Sequence, residues 1–267
     1  MIQISLATKV LISSVKTINH PQYDIIRKIA YFCAMQLLDK KAVFFDLDHT
    51  LWDFDKNAEE TLAELFASYQ FEKFGLASSD LFIETYTRNN HRLWAEYHQG
   101  NISKAELRAA RFADTFQELG VDPELFPAAF EADYIRICPQ KTNLFPHTHE
   151  ILDYLQGHYS LHLISNGFKE ASHTKIAKCD LGKYFKTIVI SEILGVHKPH
   201  PDIFHHAVAG AQTHIPESVM IGDSLEADVR GAQNVGMDAI YFNPKQLEVP
   251  EDVKRSIGHL EELTRLL

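Results

Sequence analysis

The segment KAVFFDLDHTLWDFD, residues 41–55, constrains this chain more than any other. Val43, Phe44 and Phe45 make a short apolar run, β-branched then aromatic, of the kind a strand buried in a parallel sheet requires. The run ends in Asp46, Leu47 and Asp48, with Thr50 close behind. Carboxylates at the carboxyl end of a buried strand need a reason, because desolvating them is costly. In open α/β sheets that end is where ligands bind and chemistry occurs. The segment therefore predicts a core strand over 42–46 that delivers two acids into a crevice.

The texture after Asp55 predicts where the rest of the sheet comes from. For about eighty residues the apolar spacing is helical. Leu62, Leu65, Phe66 and Tyr69 fall on one face of a first helix. A second has Ser79 or Asp80 as N-cap and Gly100 as a stop. Ser103 and Glu106 form a capping box ahead of a third that runs to about Gly120, and a fourth spans about Pro123 to Ile137, before Pro139. Four helices with short turns read as a small antiparallel bundle. From about Phe145 the pattern becomes βαβ, with strands expected at 160–165, 186–191, 218–223 and 238–243 and helices starting at Lys169 and Pro201. The fold expected is α/β: a Rossmann-like, doubly wound parallel sheet with a four-helix cap inserted after its first strand. The boundaries expected are 35–55 and 142–267 for the core and 56–141 for the cap. Residues 1–34 are read as an N-terminal extension, either a mis-assigned start ahead of Met35 or a dispensable segment; a short helix docked on the domain is the alternative.

Composition narrows the function classes. The net charge of −10 argues against a surface that holds nucleic-acid polymers by counterion release. Cys33, Cys138 and Cys179 have no paired spacing, which fits a reducing cytoplasm and indicates neither a disulfide framework nor a zinc site. No apolar run reaches the roughly 18 residues of a membrane span. The fifteen histidines, including His147 with His149 and His197 with His200, show no recognised ligand spacing with a carboxylate and are expected at the surface.

Polar groups recur at the other strand ends. Strand 160–165 ends in Ser165, Asn166 and Gly167, and strand 218–223 ends in Asp223 with Asp228 five residues on. The loop GVHKPHPD carries Lys198. In a parallel sheet these groups converge. Two or three acids in one crevice need a cation, and carboxylates without His or Cys partners favour a hard ion such as Mg2+. A lysine, a hydroxyl and backbone N–H groups at a helix start suit a phosphate.

The set DLDHT, ISNG, KP and GDSLEAD, in that order over residues 41–245, resembles the haloacid dehalogenase-like phosphohydrolase superfamily, and the inserted bundle resembles the helical cap of its first subclass. The resemblance implies that Asp46 is the nucleophile, forming an aspartyl-phosphate, and that Asp48 is the general acid and base. It implies Mg2+ ligation by Asp46, the backbone carbonyl of Asp48, and Asp223, with Asp228 behind them. Ser165, Asn166 and Lys198 would hold the phosphoryl group, Lys198 also restraining the nucleophile, and Thr50 would orient the loop. Dehalogenases in the superfamily lack the second acid, so Asp48 favours phosphoryl transfer. The cap lysines Lys56, Lys73 and Lys104 sit in contexts of solvated helix faces, against a Schiff-base phosphonatase. LWDFD, SNGF and VISEILGVHKPHPDIF are similar to the YjjG-type nucleotidases of bacteria, which implies a nucleoside 5′-monophosphate, with a pyrimidine base preferred, as substrate. Trp52 and Phe54 near the hinge are candidates to stack on a base, as is Trp94 on the second cap helix, where Asn89, Asn90, Arg92 and Tyr97 are further candidates. A sugar-phosphate phosphatase or a β-phosphoglucomutase-like enzyme on the same fold is the alternative.

Overall fold

The computed structural model describes residues 37, 39–76, 78–122 and 127–267. The expectations for residues 1–34 and for a helix beginning at Pro123 fall outside the described residues or on their edge. Six parallel strands form one sheet: β1 (Ala42–Phe45), β2 (Ser160–Ser165), β3 (Phe185–Ile190), β4 (Ser218–Gly222), β5 (Asp238–Phe242) and β6 (Ser256–Ile257), in the order β3-β2-β1-β4-β5-β6. β1 lies at the centre because all four of its residues are apolar and buried on both faces. Val43 and Phe45 enter one hydrophobic cluster with Leu161, Leu163, Val219 and Ile221. Ala42 and Phe44 enter the opposite cluster with Ile164, Val189 and Met220. That period of two is the pleat of the strand. Helices α5 (Thr148–Gln156) and α6 (Lys169–Lys178) cover the first face through Ile151, Leu152, Leu155 and Ile176. Helix α7 (Pro201–Gly210) covers the second through Ile203, Phe204, Ala207 and Val208.

The strand order matters for function. The chain leaves β1 toward β2 on one side and leaves β4 toward β5 on the other, so a crevice opens at the carboxyl ends of β1 and β4. Phe45 pairs with Ile221 and with Leu163, which sets the ends of β1, β2 and β4 at nearly one level.

Between β1 and β2 the chain forms α1 (Phe54–Tyr69), α2 (Ser79–His98), α3 (Lys104–Glu118) and α4 (Phe130–Ile137). Helix α1 begins earlier than the periodicity suggested because the Asp53 side chain accepts a hydrogen bond from the Lys56 amide. The cap of α2 is Ser78, one residue before the expected position. The Ser103–Glu106 capping box opens α3. Phe71, Phe82, Phe116 and Phe130 join these helices, with Phe71 at 5.0 Å from Phe130 and 5.1 Å from Phe116 between ring centroids. The two linkers into the insertion are tied together. Asn57 donates to the carbonyl of Asn143 at 2.8 Å and accepts from the Asn143 amide at 3.0 Å, while the Asp53 amide reaches the Asn143 carbonyl.

The short edge strand β6 was not foreseen, and neither was the π-helical turn Leu225–Arg230 after β4. π-turns are rare and occur often at functional sites; this one carries Asp228.

Candidate active site

Asp46 follows the last residue of β1, its amide held by the Ile221 carbonyl at 2.9 Å. The chain then folds tightly, with Leu51 and Trp52 amides both donating to the Leu47 carbonyl. His49 takes a left-handed conformation with φ 62° inside this turn. Thr50 fastens the turn to β4: its hydroxyl accepts from the Asp223 amide at 3.1 Å and donates to Asp223 Oδ1 at 3.3 Å.

Lys198 lies under this floor, 1 % exposed. Its Nζ donates to Asp46 Oδ1 at 2.6 Å, Asp228 Oδ1 at 2.6 Å and the Ile164 carbonyl at 2.8 Å. All three ammonium protons are committed to the protein. Lys198 thus holds the nucleophile candidate in place, and contact with a phosphoryl group would require it to give up a bond. Asp228 is similarly occupied, because its Oδ2 accepts from the Ser224 amide at 3.0 Å. A Cβ on Gly222 would lie 2.2 Å from that oxygen, so only glycine there lets Asp228 approach.

One lysine faces three acids. Oxygens of Asp46, Asp223 and Asp228 lie within 4.8 Å of one another. Burial, opposed by Lys198 and reinforced by Asp228, pushes the Asp46 carboxyl up to about 7. Burial and the charges of Asp46 and Asp228 push Asp223 well above the usual carboxylate range. Burial alone would lower the Lys198 ammonium, but Asp228 and Asp46 outweigh it and raise it. An all-oxygen set short of positive charge is the donor chemistry of a hard divalent cation. The residues present fit such an ion.

Asp48 stands apart from that cluster. Its Oδ1 accepts from Lys175 Nζ at 2.5 Å, and Lys175 is buried with its ammonium 4.2 Å from the centre of the Trp52 ring. Sequence reading missed Lys175. Its one signal was a lysine on the inward face of α6, one residue from Ile176, in a helix otherwise polar.

The remaining candidates divide. Ser165 is buried at the end of β2, lines the cavity and accepts from the Gly167 amide at 3.0 Å. Asn166 uses its side chain otherwise than expected: it accepts from the Lys198 amide and donates to the Lys198 carbonyl, both at 2.9 Å. Its amide group therefore positions the Lys198 loop. Trp52 is fully buried, with Nε1 bonded to the Lys141 carbonyl at 3.0 Å and Lys175 across its ring. It offers no face to a ligand and is replaced by Trp94 and Phe54, which do line the cavity. Asn89 is bonded to Glu118 and Arg92 to Asp114, away from it. Lys104 is not on a solvated helix face; it lines the cavity, 2.7 Å from Glu192 and 4.4 Å above the Phe168 ring.

The histidines also depart from expectation. His162 is buried against Phe44 at 4.8 Å between ring centroids, and His49 and His91 gather around Asp55.

Between the acid floor and the inserted helices lies a cavity of about 470 Å³. Its roof carries Asn90, Trp94 and His98 from α2, Arg111 from α3, and Phe168 from the loop after β2. Trp94 and Phe168 pack with their rings tilted by 33°, 4.9 Å between centroids. Three buried atoms on this lining have no hydrogen-bond partner among the described residues: Asn90 Oδ1, His98 Nε2 and Arg111 Nε. Burial, with His197 and Lys198, pushes His98 down to about 4, so the ring is neutral at neutral pH. The Arg111 charge is matched by Glu131 at 2.7 Å.

Residues 40–236 match the model of a hydrolase family described as haloacid dehalogenase-like hydrolase. The chain belongs to this family. It is 30% identical to pyrimidine 5′-nucleotidase YjjG of Escherichia coli over 84% of this chain and 96% of that protein. It is 32% identical to pyrimidine 5′-nucleotidase PynA of Streptococcus pneumoniae over 78% of this chain and 86% of that protein. Among solved structures, the magnesium-bound putative HAD-hydrolase YfnB from Bacillus subtilis superposes with a TM-score of 0.74 at 27% identity, covering 84% of this chain and 96% of that one. These relationships make this haloacid dehalogenase-like protein an enzyme of the phosphoric monoester hydrolase class. No helix among the described residues is long and apolar enough to cross a membrane.

Proposed function

We propose that the enzyme is a Mg2+-dependent phosphatase that hydrolyses nucleoside 5′-monophosphates, pyrimidine nucleotides foremost, through an aspartyl-phosphate. The floor supports the chemistry. Asp46, held by Lys198, attacks phosphorus as the bond to the nucleoside 5′-oxygen breaks, and Asp48 gives that oxygen its proton. Water then enters: Asp48 takes its proton, the water oxygen attacks phosphorus, and the Asp46–phosphorus ester breaks to release phosphate and restore the carboxylate. Asp46, the Asp48 backbone carbonyl and Asp223 would hold Mg2+, which when bound offsets the charge of the acids and the phosphoryl oxygens. Ser165 and backbone N–H groups at the start of α6 would receive the remaining phosphoryl oxygens. Lys175 orients Asp48, and Asp228 acts from behind through Lys198.

The observation that carries the nucleotide reading is the roof. A cavity of about 470 Å³ falls in the usual range of about 300–1,000 Å³ for small-molecule sites. Its wall brings the rings of Phe54, Trp94 and Phe168 together with the polar side chains of Asn90, His98 and Arg111. A mostly aromatic wall with a few polar groups suits a ligand that has both a flat face and hydrogen-bonding edges. The similarity to two pyrimidine 5′-nucleotidases supports this reading.

Within this reading, residues 56–141 act as a cap that excludes water over a core of 35–55 and 142–267, hinged where Asn57 meets Asn143. The setting is cytoplasmic, in keeping with the buried free thiols of Cys138 and Cys179.

The test is phosphate release with Mg2+ across UMP, dUMP, TMP, AMP, glucose 6-phosphate, β-glucose 1-phosphate and phosphoglycolate, with Asp46→Asn as control. Preference for pyrimidine monophosphates, abolished in the variant, is expected. Hydrolysis of sugar phosphates alone would keep the mechanism and overturn the substrate. A phosphatase as active in Asp46→Asn as in wild type would overturn the mechanism.

A further inference from the structure

A second constellation lies beside the acid floor and takes no part in the chemistry proposed above. His49 follows Asp48 in the turn after β1, Asp55 sits in the first turn of α1, and His91 is on α2. The insertion thus contributes His91 to a cluster begun by the core.

Asp55 Oδ1 is the centre of the cluster. It lies 3.7 Å from His49 Nδ1 and 3.7 Å from His91 Nε2. Both separations are too long for hydrogen bonds. They approach the spacing of atoms that share one metal, since bonds of about 2.0–2.1 Å in a tetrahedral shell set ligand atoms about 3.4 Å apart. One ligand atom from each of the three residues falls within 4.8 Å of the other two. The same Asp55 oxygen is buried and has no hydrogen-bond partner among the described residues. An ionised oxygen out of water and facing two imidazole nitrogens that do not reach it is satisfied best by a cation between them.

The donor set selects the cation. The floor offers carboxylates only, which suits Mg2+. Two imidazole nitrogens and one carboxylate suit borderline ions such as Zn2+, and three protein ligands leave a fourth position for water or a substrate oxygen. Lys245 opposes binding. Its Nζ is 2.7 Å from Asp55 Oδ2, the oxygen turned away from this contact, and so it competes by charge and not by occupying the position. It is also well exposed, on a flexible stem.

We propose that His49, Asp55 and His91 form a site for a divalent cation of the Zn2+ class, which clips the helical insertion to the core at the edge of the catalytic crevice. The site is separate from the acid floor and does not depend on which phosphate ester is the substrate.

The test is calorimetric titration of Zn2+ into the full chain with the floor saturated by excess Mg2+, followed by the absorption spectrum with Co2+ in place of Zn2+. One equivalent of Zn2+ per chain is expected, with nitrogen ligation in the Co2+ spectrum. His91→Ala should weaken binding tenfold or more, as should Asp55→Asn, and Lys245→Ala should tighten it several-fold. Zn2+ should raise the melting temperature of the wild type and leave that of His91→Ala unmoved. His91 is half exposed, so its truncation leaves the fold intact. No saturable Zn2+ binding, binding in His91→Ala or Asp55→Asn as tight as in the wild type, or binding lost in Asp223→Asn but kept in His91→Ala would each overturn the proposal.

Discussion

Replacing Asp46 by Asn should abolish turnover and yet make the metal-free protein more stable at alkaline pH. Asp46 has a folded-state pKa of about 7 against an ordinary value of 3.8. The folded state therefore keeps a proton that the unfolded chain gives up, and stability falls as pH rises through that window. Above it the whole cost stands. Three units at 1.36 kcal/mol each give about 4 kcal/mol. Lys198 adds nothing to the slope there, since its raised pKa keeps it protonated in both states. Asn removes the buried charge, and that figure already contains the attraction of Lys198, whose ammonium can still donate to the Asn Oδ1. The net gain at about pH 8 is then at most about 4 kcal/mol, or up to roughly 8 °C in Tm. Calorimetric scans of both proteins in EDTA, at about pH 5 and about pH 8, test this. The gain should shrink toward zero at the lower pH, and excess Mg2+ at the higher pH should restore the wild type to the lead. A variant less stable than wild type in EDTA at the higher pH, or a gap equal at both, would refute the electrostatic reasoning.

Three further outcomes are expected. Lys175→Met leaves Asp48 without its 2.5 Å partner; kcat should fall by about 10²-fold or more with KM changed less, as steady-state kinetics would show. Gly222→Ala drives a Cβ to 2.2 Å from Asp228 and breaks the Lys198 bridge, so a loss of about 1–3 kcal/mol and of most activity should appear in urea melts and phosphate release. Burial, helped by Lys186, pushes His162 down to about 4 from 6.5, so its contribution is complete above the higher value and is lost as pH falls toward the lower. Relative to wild type, His162→Phe should therefore gain about 2 kcal/mol between pH 8 and pH 5 in thermal melts.

Much of the architecture was legible because local chemistry specified it. The run from Ala42 to Phe45 has one stable setting, a strand buried on both sides, and its terminal acids mark the crevice end of a parallel sheet. The capping box at Ser103 could be read because both partners lie within one turn. The start of α1 was misplaced because the cap, Asp53, lies inside a segment that reads as strand and loop. Edge strand β6 was missed because two residues carry no periodicity. Trp52 illustrates the limit most plainly. An aromatic ring beside a nucleophile looks like a base platform, and only the packing of Lys175 and Lys141 around it turns it into core.

The sequence by itself determined the α/β class, the helical insertion after the first strand and the set of acids, hydroxyl and lysine at the strand ends, since each is fixed by neighbours within a few residues. Tertiary structure alone decided how those groups divide their bonds. Lys198 spends its three protons on Asp46, Asp228 and Ile164, Asn166 serves the Lys198 backbone, and Lys175 reaches Asp48 from 127 positions away. The same holds for His49, Asp55 and His91, and for the unpartnered atoms of the roof. Hydrogen bonds and ion pairs act over about 3 Å, and which atoms come that close across the fold is set by packing, not by spacing along the chain.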